Sequence, residues 1–151
     1  MGTALPDLLS TSEAQLRAWQ RSSDKERSAI HEQMQAMCAA TMAIQGRVAH
    51  AMLHTKTATG QMSVRWRLNL QYKHVTWDKV DEALAGHPRV VRQWYAQANT
   101  QIELLNIQEL IARQSCAAAT KALKVLVDSN TGESKMPDSN ACDSNSNDSS
   151  R

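Results

Sequence analysis

Residues 61–73 alternate strictly between apolar and polar side chains, and no other part of the chain has a clear period of two. Met62, Val64, Trp66, Leu68, Leu70 and Tyr72 fall on one side, while Ser63, Arg65, Arg67, Asn69, Gln71 and Lys73 fall on the other. Successive side chains of an extended strand point to opposite faces, so this pattern fits a half-buried strand. A helix would space its apolar positions three and four apart. The chain must therefore accommodate a small β-hairpin, expected over residues 61–75, with one greasy and one cationic face.

Helical periodicity dominates on both sides of this stretch. Ser10 and Glu13 have the spacing of a capping box, which starts a short helix through Ala14, Leu16 and Trp19. Ser22-Ser23-Asp24 is expected to break that helix, with Ser23 and Glu26 repeating the capping pattern. From residue 24 to 56, Ile30, Met34, Met37, Thr41, Ile44, Val48, Ala51 and Thr55 recur in steps of four and three, the seam of a packed helix. That seam includes Thr, Ala and flexible Met, so it needs a partner helix. Gly60, free to take a left-handed conformation, closes the segment.

Beyond the hairpin, Thr76 caps a short helix over 77–85, and Gly86-His87-Pro88 punctuates before a helix over 88–127. The apolar set of this last helix begins with Val91, Trp94, Ala98, Ile102 and Leu105. It then shifts to Leu104, Ile107, Ile111, Ala118, Ala122 and Val125, which suggests two successive partners. The expected fold is mainly α with a small β-hairpin: two long antiparallel helices plus two short ones. Residues 1–9 read as a flexible lead-in and 10–128 as a single helical domain. Residues 129–151, rich in Ser, Asn and Asp, read as a disordered acidic tail with nothing to bury.

Phe is absent and the aromatic share is low, so the core has to rest on Leu, Ile, Val, Ala and Met. Net charge is only +2, too small to announce a nucleic-acid binder by itself. Its distribution is more telling, because residues 61–92 hold six Lys/Arg against three Asp/Glu. Cys38, Cys116 and Cys142 lie far apart and are odd in number, which argues for reduced thiols in a cytoplasmic protein. The N-terminus shows no signal-peptide pattern, and no apolar run approaches the roughly 18 residues of a membrane span.

Arg65, Arg67, Lys73, Arg89 and Arg92 make a candidate DNA-binding set, since cations projecting from a strand pair reach phosphates. Trp66, Trp77 and Trp94 fit better as side chains that knit hairpin to helix than as base-stacking platforms. His50 and His54 stand one helical turn apart, as metal pairs do. No Glu sits between them and no Cys pair has ligand spacing, so metal is not expected. No Gly-rich phosphate loop, nucleophile elbow or catalytic dyad is visible, and no enzymatic activity or cofactor is expected.

The residues Ser63-Val64-Arg65-Trp66-Arg67-Leu68, followed by Leu105-Asn106-Ile107-Gln108 and then Arg113, Cys116 and Lys121, resemble a pattern found in a family of uncharacterised bacterial proteins. That family is carried on integrative conjugative elements and related plasmids, and some members are labelled integrase regulators. The resemblance covers about residues 24–124 and implies a non-enzymatic accessory or regulatory role in a mobile genetic element. The cationic hairpin would contact DNA and the long helices would pair with another chain or a second copy. The alternative is a protein-interaction module acting through its helices without DNA, for example an inhibitor of a host defence complex. Within the resemblance, Asn106 and Gln108 are polar residues in an apolar run, and a buried one would need hydrogen-bond partners.

Overall fold

The structure, a computed structural model, describes residues 12–132. Three helices and two strands follow in the order α1 (Glu13–Met42), β1 (Ala49–Lys56), β2 (Gln61–Leu68), α2 (Trp77–Leu84) and α3 (Arg89–Gly132). The mainly helical class with a hairpin is thus as expected, with two long helices and a single short one among the described residues. The expected lead-in and most of the expected tail lie outside the described residues, and α3 runs five residues beyond the expected end at Val127.

The expected cap Ser10 lies outside the described residues, and the cap of α1 is Ser12. Ser12 accepts from the Gln15 N–H at 3.2 Å, and Gln15 Oε1 accepts from the Ser12 N–H at 2.9 Å, a reciprocal capping box. No break follows at Ser22-Ser23-Asp24. Ser23 is buried inside the continuous helix, its Oγ 2.8 Å from Ser115 Oγ on α3. A capping serine and a serine that bonds a neighbouring helix have the same local sequence, and here the tertiary bond wins.

The larger correction concerns residues 43–56, which were expected to continue the helix. α1 stops at Met42, Gly46 adopts φ 67°, and residues 49–56 form the first strand of the hairpin. The turn therefore lies at 57–60, where the Lys56 carbonyl accepts from the Thr59 and Gly60 N–H groups and Gly60 takes φ 65°. β1 and β2 pair antiparallel, Ala49 with Leu68 through Lys56 with Gln61. Ala49, Ala51 and Leu53 thereby join Val64 and Trp66 on the inner face. The four-three spacing of Val48, Ala51 and Thr55 is coincidental. Small residues at strand positions carry little helical information, and partner packing decides the outcome.

α1 and α3 run antiparallel, with Gln20 bonded to Thr120, Ser23 to Ser115 and His31 facing Glu109. The α3 seam is Tyr95, Ala98, Ile102, Leu105, Ala112, Ala119 and Leu123, all buried and spaced in threes, fours and sevens along nearly the whole helix. Its partners on α1 include Leu16, Ile30 and Met34, the last fully buried. The hairpin lies over this pair, β1 along α1 and β2 along α3. Leu104, Ile107 and Ile111 do not serve a second partner within the described chain and are exposed, and Val125, also exposed, borders a groove with Leu16 and Trp19 of α1.

A two-stranded sheet is marginal alone and has two open edges. Here helix side chains occupy them. Asn106 clamps Val64, accepting from its N–H at 2.7 Å and donating to its carbonyl at 3.0 Å. On β1, Thr41 Oγ1 accepts from the Ala51 N–H at 2.8 Å, and the Tyr95 hydroxyl donates to the Ala49 carbonyl at 2.9 Å. Trp66 Nε1 donates to Asn99 Oδ1 at 2.8 Å, and Asn99 in turn donates to Glu103. Asn106→Ala removes both clamp bonds and leaves a backbone pair short of partners. It should cost about 1–3 kcal/mol in urea unfolding, whereas Gln108→Ala, at an exposed position, should be close to neutral.

A cationic hairpin face as candidate functional site

Register places His50 opposite Arg67, Met52 opposite Arg65, His54 opposite Ser63 and Lys56 opposite Gln61 on the outer face. The strand expectation for Arg65 and Arg67 thus holds: Arg65 is exposed and Arg67 half-buried. Among the described residues neither forms an ion pair with a carboxylate. Arg67 Nη1 instead points at Met52 Sδ, 3.7 Å away. His54, Lys56, Ser63 and Arg65 line a shallow, largely polar groove that reaches Asn106 at the β2 edge.

After β2 the chain doubles back. Val75 N–H donates to the Trp66 carbonyl, and the His74 ring stacks edge-on against His54 with centroids 5.4 Å apart. Burial lowers the His50 and His74 pKa values first, and nearby guanidinium groups add to it: Arg47 and Arg67 at His50, Arg67 and Arg65 at His74. Burial is the larger cause at both imidazoles, and the arginines' part in it shows a positive field over this face.

The returning loop carries residues that the alternation misassigned. Leu70 and Tyr72 were expected on the buried face, yet the strand ends at Leu68, and they are 94 % and 90 % exposed. Leu70 holds φ 63°, a left-handed conformation that a leucine adopts only under local constraint. Lys73 is exposed on the same loop. Arg89 and Arg92 are exposed in the first turn of α3, on a different element from the hairpin. Trp66 and Trp77 knit hairpin to helix as expected, Trp66 being buried with Trp77 and Tyr95 at 6.0 and 5.8 Å, whereas Trp94 is partly exposed and packs edge-on to its neighbour Tyr95 on the same helix.

His50 and His54 are on a strand and not on a helix, so their α-carbons are separated by about 13 Å along β1. One ion does not bridge that span. Among the described residues no group of three or more His, Cys, Asp or Glu is placed to hold a metal. Cys38 and Cys116 are free, and burial pushes both thiols up, away from thiolate chemistry; Asp24 adds to the effect at Cys116. Cys142 lies outside the described residues.

Sequence reasoning overlooked Glu109, fully buried on α3, with Arg27 Nε at 3.4 Å and His31 Nε2 at 3.5 Å. Arg27 also donates to the Gly60 carbonyl at 3.2 Å, joining α1, α3 and the hairpin turn. A helix position occupied by Glu carries no local signal of burial; only its place in the Leu105–Ala112 seam betrays it.

No helix among the described residues is long and apolar enough to cross a membrane. No protein-family model matches the chain, and neither a curated protein nor a solved structure matches it.

The lowered histidines give a signed expectation. Their contribution to stability is complete above the ordinary imidazole range and is lost as pH falls through their lowered values, because the unfolded chain takes up protons first. Arg67→Gln should raise the NMR titration midpoints of both His50 and His74, while unmoved midpoints would remove Arg67 from the field acting on them.

Proposed function

We propose that the protein is a non-enzymatic accessory or regulatory protein of a mobile genetic element that binds DNA through the outer face of its hairpin. The observation that carries this reading is the concentration of Lys56, Arg65 and Arg67 with three histidines on one face, with no carboxylate paired to either arginine among the described residues. Cations on a strand pair reach the phosphates on either side of a groove. Lys73 extends the charge onto the loop. Tyr72 and Leu70 beside it offer an aromatic and an apolar group of the kind that packs against sugars and base steps. Arg89 and Arg92 are additional phosphate contacts in this reading. The mobile-element context rests on the resemblance of the Arg65-Trp66-Arg67 and Leu105–Gln108 segments.

A second reading, an interaction module that works through its helices without DNA, draws on the exposed apolar residues of α3. Salt separates the two. Fluorescence anisotropy with a labelled duplex should give an affinity that falls steeply with salt, and Arg65→Ala/Arg67→Ala should reduce the slope of log affinity against log salt by about two. Tyr72→Ala should weaken binding with the slope unchanged. A double variant that binds as wild type does at every salt concentration would overturn the DNA reading.

A further inference from the structure

α3 carries two apolar rows. One is the buried seam beneath α1 and the hairpin. The other runs Leu104, Ile107, Ile111, Ala118, Ala122 and Val125, its second half bordering Leu16 and Trp19 of α1, with Leu104 47 %, Ile107 55 %, Ile111 59 % and Val125 61 % exposed. Gln114 and Ser115 fill the middle of this row, Ser115 at its α1 edge where it meets Ser23 and Trp19, and Lys121 borders the second half; the row itself, about 32 Å long, contains no charged residue. Solvent-facing helix surfaces are ordinarily charged, and monomers rarely expose so continuous an apolar strip.

The sizes along the row identify the occupant. Its first half is bulky and its second half mostly small. Eleven residues separate Ile107 from Ala118 and Ile111 from Ala122, a spacing near three full turns that keeps the row straight. The small half is also the floor of a mostly apolar groove walled by Leu16 and Trp19 of α1 and by Lys121 and Val125. A copy of the same helix laid antiparallel sets Leu104 against Val125, Ile107 against Ala122 and Ile111 against Ala118, with Gln114 and Ser115 at the axis. The ridge of each chain then fills the groove of the other, the self-complementarity that a two-fold interface requires.

We propose that this face of α3 is the interface of an antiparallel homodimer, the Leu104–Ile107–Ile111 ridge of each chain seated on Ala118 and Ala122 of its partner.

The test is made on the full chain without DNA, so that its failure is separate from failure of the DNA reading. Sedimentation equilibrium should give twice the 16.8 kDa chain mass. Ile107→Glu/Ile111→Glu should halve the mass while leaving the helical circular dichroism unchanged. A monomeric wild type, including one in which residues 1–11 seat in the groove, overturns the proposal, as does a double variant that folds and stays dimeric. Disulfide mapping serves even where the charged variant fails to fold. With Cys38, Cys116 and Cys142 replaced by Ser, a mixture of Ile107→Cys and Ala122→Cys chains should cross-link and Ile107→Cys alone should not. A link between two Ile107→Cys chains overturns the antiparallel register.

Discussion

Everything about this molecule depends on how a hairpin of two strands is kept from being a liability. A sheet this small buries one face and leaves two rows of backbone groups to water or to another chain. Asn106, Thr41 and Tyr95 reach in from the two long helices and take hydrogen-bonding positions that neighbouring strands would fill in a wider sheet. Trp66, buried and bonded through its indole N–H to Asn99, pins the middle of β2 to the same helix. The hairpin is thereby a fixed layer on a helical pair, and its outward face has a defined geometry.

That fixity is what gives the surface charges meaning. Arginines on a mobile loop are solvated and interchangeable, but Arg65 and Arg67 project from a strand whose opposite face is locked into the core. Field and form agree here, since the same guanidinium groups depress the neighbouring imidazoles. Arg27 performs the complementary task at the tip, holding the Gly60 carbonyl while lying against buried Glu109. A buried ion pair of this kind is a poor source of net stability, so its value lies in tying the turn to both helices at once.

Much of the plan was legible in the residues. The period-two run located β2 and its arginines, and the long heptad runs located both major helices, whereas Gly60, read as the end of a helix, is the turn of the hairpin. What failed did so for physical reasons. β1 has Ala, Met and His at positions where β-branched or aromatic residues would announce a strand, and its four-three spacing extends the helical seam of α1 by accident. Ser23 mimics a cap although its hydroxyl serves Ser115. Leu70 and Tyr72 continue the alternation past the point where the backbone leaves the sheet, which only the left-handed turn at Leu70 reveals. Asn106 stands out in the sequence as a polar residue in an apolar run, and its clamp on Val64 is the kind of partner that such a residue requires.

Native-state hydrogen exchange at the Val64 and Ala51 amides tests the central claim most directly. Both N–H groups point away from the strand pair, so in a hairpin merely resting on the helices they would exchange nearly as fast as open amides. Clamped by Asn106 and Thr41, they should exchange only through global unfolding, at the rate of the buried α3 amides around Ile102. Fast exchange at Val64 and Ala51 alongside a protected α3 would contradict the account.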